Sequence, residues 1–221
     1  MESMTYKQLK QRHRKEREGY HSSLNLRVHR ALSWLDRSEQ CGKDLDARFI
    51  FLWIAFNAVY GSQLSAEGTA PENLVLKNFL ARILRLDTGK LIDTMLWHKY
   101  SGPIRLLLQN PYVFPAFWKS QNGTLAPDAW EPLFRKAKRQ AEQALSKQAT
   151  LTLLSVLLPR IYMLRNQLVH GGATWQSQVN RDQVRDCTAL MAEFVPLVIC
   201  IMMDNPVMEW EPPAYPVVLT T

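Results

Sequence analysis

Arg160-Ile161-Tyr162-Met163-Leu164-Arg165-Asn166-Gln167-Leu168-Val169-His170-Gly171-Gly172 is the stretch on which the fold turns. Through it and just upstream, Leu154, Leu157, Ile161, Leu164 and Leu168 recur at three- and four-residue steps, the spacing of one buried helical stripe. Gly171 stands where a left-handed residue closes a helix, so the spacing predicts a helix that ends at or near His170. At about 3.6 residues per turn, Arg165 falls inside the apolar sector, about 40° from Ile161. Tyr162, Asn166 and His170 line one flank of that sector. A charge on a buried stripe is costly unless it is paired or faces a partner across an interface. Arg165, Asn166 and His170 are therefore the first functional candidates, with Tyr162 in support.

Working outward, the segment Arg48 to Tyr60 is apolar nearly all round, which predicts a second core helix over about 44–60, N-capped by Asp44. The two helices, 44–60 and 148–170, are expected to pack against each other at the centre. Asn57 would then be buried in need of a hydrogen-bond partner, either as a structural amide or as a supporting site residue. Pro159 inside the 148–170 pattern should kink that helix or start a fresh one. Asn180 and Gln183 resemble a capping box that opens a last helix to about Asp204. Its Val195–Met203 run is very apolar, but nine residues cannot span a bilayer, so it reads as core rather than membrane.

Residues 1–20 form a polar, basic arm with Lys7, Lys10, Arg12, Arg14, Lys15 and Arg17, read as a solvated helical arm or an RNA-backbone contact. Residues 21–204 form the helical domain, and Leu24, Val28, Ala31, Leu32 and Leu35 share one helical face early in it. Residues 61–73 read as a small-residue loop, with two modest helices near 71–86 and 88–98. Between 100 and 127, Pro103, Pro111, Pro115 and Pro127 alternate with Tyr112, Phe114, Phe117 and Trp118, which predicts a long packed loop with one helix near 103–109. Such a loop can wall a substrate groove or cover the core. Arg135, Lys136, Lys138 and Arg139 lie on a helix over about 128–147, where they can track a phosphate backbone or simply face solvent. Trp175 follows the glycine pair, placed to stack on a base or to pack. Residues 205–221 hold four prolines and read as an extended tail.

The 221 residues are 47% hydrophobic with seven Trp, ample for one packed domain with insertions, or at most two small ones. A net charge of +7 favours an anionic partner, and it also aids solubility. Cys41, Cys187 and Cys200 form no CxxC pair and read as reduced thiols. The histidines at 13, 21, 29, 98 and 170 show no metal-ligand spacing, so neither a metal nor another cofactor is expected. The opening residues are charged from Lys7 and carry no apolar leader, which favours the cytoplasm.

The spacing Arg165-Asn166-x-x-x-His170 at the end of a core helix, followed by a glycine stop, resembles the signature of the HEPN superfamily, the "higher eukaryotes and prokaryotes nucleotide-binding" domains. The aromatic-rich segment Arg48–Tyr60 resembles a core helix of some bacterial members. The resemblance covers the regions 25–60 and 125–204. It implies an all-α fold, a HEPN-like helical bundle carrying a long Pro- and aromatic-rich loop insertion. It further implies a metal-independent endoribonuclease, of toxin or defence type, whose Arg165 and His170 form a composite site at a homodimer interface. Such a site leaves 2′,3′-cyclic phosphate and 5′-hydroxyl ends. RNA, a second copy, and an antitoxin or nucleotidyltransferase are the partners it implies. Some family toxins carry a Tyr two residues after the histidine, the residue that a nucleotidyltransferase modifies; here that position is Gly172.

The residue chemistry agrees with that implication. A histidine titrates near neutrality and serves as base or acid. An arginine stays charged and offers a planar fork of donors to phosphate. Asn166, one turn before His170, can hydrogen-bond the imidazole and fix its orientation. Arg165 and His170 are roughly 140° apart around the helix, so they converge poorly within one chain, and a symmetric dimer would bring two of each around one phosphate. Read without the family, an Arg–Asn–His group at a helix end is also plain capping. A non-catalytic module that holds RNA or a nucleotide, and a helical assembly subunit, are the readings outside enzymes.

Overall fold

The computed structural model describes residues 4–61, 72–213, 215 and 217, and every regular element among them is helical. The all-α expectation is met. The loop read over 61–73 falls mostly on residues 62–71, outside the described residues. In chain order the α-helices are α1 (Tyr6–Glu16), α2 (Ser22–Glu39), α3 (Leu45–Tyr60), α4 (Glu72–Leu86), α5 (Leu91–Thr94), α6 (Ser101–Gln109), α7 (Pro115–Gln121), α8 (Trp130–Ser146), α9 (Thr150–Val169) and α10 (Arg181–Asp204). They divide into two compact units, one of Met1–Leu91 with Thr188–Thr221 and one of Ile92–Cys187. The two helices nominated for a shared centre, α3 and α9, fall one in each unit.

In the first unit α2 runs along α3. Asp44 caps α3 by accepting from the Ala47 N–H at 3.0 Å, as its position predicts. Because α3 is apolar on all sides, it buries Phe49, Leu52, Ala55, Phe56 and Val59 together. Phe56 sits at the middle of an aromatic cluster, with ring centroids 5.7 Å from Trp53, 5.0 Å from Tyr60 and 5.7 Å from Phe194. Phe194 comes from α10, whose Val195–Met203 run is buried throughout. That helix is long and apolar enough to cross a membrane, and 72% of its most apolar window is buried within the fold.

The basic arm is not a solvated appendage. Thr5 and Gln8 form a capping box that starts α1, and Leu9 and His13, four apart, are each 1% exposed. Dense charge on the other faces masks this narrow apolar side. Arg12 ties the helix down, reaching Glu16 at 2.8 Å and Asp204 at 2.7 Å. The tail is held in a similar way. Arg27, 3% exposed, donates to the main-chain carbonyls of Val59 (2.8 Å), Glu211 (2.8 Å) and Pro212 (3.1 Å). Arg82 donates to Glu209 O and Arg30 to Tyr215 O, while Trp210 is buried with its indole N–H on Asn205 O.

His13 carries a pH prediction. Its Nε2–H donates to Asn25 Oδ1 at 2.8 Å, and its Nδ1 is buried with no partner among the described residues. Burial lowers its pKa, with Lys10, His29 and Arg17 adding repulsion against the opposing Asn25 bond; burial lowers His29 in the same direction. The folded ring therefore stays neutral where the unfolded one, at about 6.5, takes a proton. Stability is complete above that value and falls as pH drops from there toward the folded pKa. Melting temperature should decline between about pH 7 and 5, and more gently in His13→Leu; parallel curves for the two proteins would remove His13 from the account.

In the second unit the prolines corrected the reading of 100–127. Pro111 and Pro115 stand at the first positions of a 3-10 turn (Pro111–Val113) and of α7, and Pro103 lies in the first turn of α6. A missing N–H costs nothing there, so these prolines start helices instead of breaking them. The segment is two helices and a turn, not a long loop. At the unit's centre α9 contacts α6, α7 and α8 and buries Leu153, Leu154, Leu157, Leu158, Ile161 and Leu164. It passes through Pro159 as one continuous helix, without a fresh start. Asn180, read as a capping residue, has a left-handed φ of 57°, and its amide donates to Gln167 Oε1 at 2.9 Å.

Candidate active site

The motif helix ends where the glycine pair predicts. Gly171 has φ +68°, His170 is the last cap residue, and the Gly172 N–H returns to Gln167 O at 2.7 Å. A Cβ on Gly172 would meet that same oxygen at 3.0 Å, so the turn is tight. Steps of three and four along the last turns align Met163, Asn166, Gln167 and His170, and this face lines an open cleft of about 870 Å³. Opposite stand Tyr112, Pro115, Trp118 and Lys119, with Asn122 and Thr124 beyond them. Val179 and Asn180 close a third side. The segment read as a groove wall thus does line the cleft, though as helix and turn.

The Tyr112 peptide group is one of the points that moor the wall to α9. The Tyr112 carbonyl accepts from Gln167 Nε2 and from Trp118 Nε1, each at 2.6 Å. Asn110 caps the turn, its Oδ1 accepting from the Tyr112 N–H at 2.8 Å. Behind it Arg160, 1% exposed, lies 4.3 Å from the Phe114 ring centroid and 5.2 Å from that of Phe134. Its Nη1 reaches Asn110 O at 3.5 Å, its Nη2 has no partner among the described residues, and burial lowers its pKa to about 10. A guanidinium held this way contributes mostly shape, since its charge is left unneutralised. Arg160→Met should stay within about 1 kcal/mol of the parent, because Met keeps the length and the ring contacts. Arg160→Ala should cost about 2–4 kcal/mol through the cavity it opens. Denaturant melts of both check this; a Met variant as unstable as the Ala variant would show that the charge itself is needed.

Of the nominated residues, Asn166 and His170 line the cleft and Arg165 does not. Arg165 is half-buried, donates from Nη1 to Asn166 Oδ1 at 3.0 Å, and has no carboxylate partner among the described residues. That bond engages the side chain expected to steer the imidazole, and Asn166 meets His170 through the main chain, N–H to O at 2.9 Å. Tyr162 is half-buried and Trp175 is 69% exposed, and neither lines the cleft. Arg135, Lys136, Lys138 and Arg139 lie along α8 away from the cleft lining, Arg135 paired with Glu131 at 3.2 Å. Asn57 belongs to the first unit, where its Oδ1 is buried without a partner among the described residues.

Lys119 was missed. As a single lysine in a proline-broken stretch it carries no motif, and only the turn at Pro115 brings it to the cleft. What assembles there is a titratable ring, amides, two aromatic rings and one cation, with neither Asp nor Glu among the described lining residues. Such a set suits an anionic ligand with a flat aromatic part. No known family model matches the chain, and no curated protein or solved structure matches it either.

Proposed function

We propose that the protein is a metal-independent endoribonuclease of the HEPN type that cleaves single-stranded RNA in the cytoplasm at a composite homodimer site. The observation that carries this reading is the placement of His170 and Asn166 in a cleft that also holds Lys119, with neither Asp nor Glu among its described lining residues. In the proposed reaction a histidine takes the 2′-OH proton as that oxygen attacks phosphorus. The bond from phosphorus to the 5′-oxygen breaks, and a second histidine returns a proton to the leaving oxygen. The products are a 2′,3′-cyclic phosphate and a 5′-hydroxyl, and no water is consumed. Arg165 answers the charge that builds on the phosphorane.

One chain supplies one His170, and its Arg165 lies off the cleft, so a second copy is required. The turn bears the apolar groups such a contact would cover: Val169 is 47% exposed, Trp175 69% and Val179 65%. Purified protein should cleave single-stranded RNA in EDTA and leave cyclic ends. Parent protein mixed with an excess of His170→Ala should lose more activity than dilution alone explains, because a mixed dimer keeps only one of the two histidines. Activity that falls only in proportion to dilution, with a monomeric mass, would sink the composite site. The position of Arg165 off the cleft favours one second reading, a non-catalytic RNA-binding module, and salt-sensitive binding without cleavage would establish it.

A further inference from the structure

The cleft wall holds two rings in fixed relation. Tyr112 and Trp118 each stand edge-on to Phe117, with centroids 5.4 Å and 5.3 Å away. Trp118 spends its indole N–H on the Tyr112 carbonyl, so both rings are positioned before any ligand arrives. Tyr112 is nonetheless 53% exposed. Rigid, accessible rings at a cleft are a stacking platform that any base can use, since every base has a π-face. Lys119 adds charge beside them, and Asn122 and Asn166 bring amides able to meet the edge of a base.

We propose that this cleft is a base pocket that takes one unstacked nucleobase of single-stranded RNA against Tyr112 and Trp118, with the adjoining phosphate at Lys119. The proposal rests on the nuclease reading for its substrate class. The pocket holds the nucleotide beside His170, gives cleavage a base preference and rejects duplex RNA, whose bases are already stacked and paired.

Fluorescence anisotropy of a labelled single-stranded RNA oligomer tests it, using the full chain with His170→Ala to keep the strand intact. On that background Tyr112→Leu should weaken binding about tenfold, and an abasic strand should lose a similar factor. Tyr112→Phe should restore affinity. Tyr112→Leu keeps the carbonyl that moors the wall, and an unchanged melting temperature verifies this. Lys119→Ala should lower the slope of log Kd against log salt by about 0.7. Equal affinity for intact and abasic strands, or a Leu variant that binds like the Phe variant, overturns the pocket. These affinity differences in a protein that never cleaves would sink the nuclease and leave the pocket. Unchanged affinity and base preference in a cleaving Tyr112→Leu protein would do the reverse.

Discussion

His170→Ala should lower RNA cleavage by about 10²-fold or more while RNA affinity stays near the parent value. The imidazole is exposed at the helix cap, and the residue's main-chain N–H donates to Asn166 O. Its removal therefore exposes no buried group, and the melting temperature should hold. Arg165→Ala should lose a comparable factor, and Arg165→Lys should recover little, because an ammonium lacks the planar fork that matches phosphate oxygens. Asn166→Ala should cost less, since its oxygen holds Arg165 and not the ring. The order His170 and Arg165 well below Asn166, measured with RNA binding and thermal melts in parallel, separates chemistry from folding. Cleavage that persists undiminished in His170→Ala would belong to a contaminant or another site.

The second large effect is on stability. Arg27→Ala should cost about 3 kcal/mol or more. Its guanidinium is buried and satisfies the carbonyls of Val59, Glu211 and Pro212, all of which would lose a charged donor at once. Burial disfavours the charge most and, with repulsion from Arg30 and Arg82, lowers its pKa to about 10 against the opposing charge of Glu211. The bonds must outweigh that cost for the arrangement to stand. Arg27→Lys should recover only part of the loss, since one ammonium cannot reach three separated carbonyls in the same plane. Denaturant unfolding gives the magnitude. Limited proteolysis near residue 210 gives the location, because the tail should become cleavable before the core does. A variant that unfolds like the parent would mean that Trp210, Arg82 and Arg30 hold the tail without it.

The parts legible in the sequence were those where burial follows period. Helix α3, apolar all round, and the α9 stripe, stopped by Gly171, could be read from residue types alone. Their separation into two units could not, because a hydrophobic pattern says that a face is buried and not what it meets. Leu9 and His13 of α1 were hidden by the charges around them, and a proline in a first turn looks like a proline in a loop until the turn is seen. The tail clamp was invisible for another reason: its acceptors are peptide carbonyls, which every residue carries. For the cleft, Asn166 and His170 were found from spacing on one helix, whereas Tyr112, Trp118 and Lys119 reach it across more than forty residues of intervening chain.

The grip of α9 on the Tyr112 carbonyl separates two things that evolution could otherwise change only together. The wall is anchored by an atom that no substitution at 112 removes, except a change that bends the main chain. The side chain at that position can drift among aromatic, aliphatic and polar types while the anchor between wall and motif helix is inherited intact. Descendants of this chain can therefore vary what the cleft prefers without first losing the histidine beside it, so diversification here needs one codon and no compensating change.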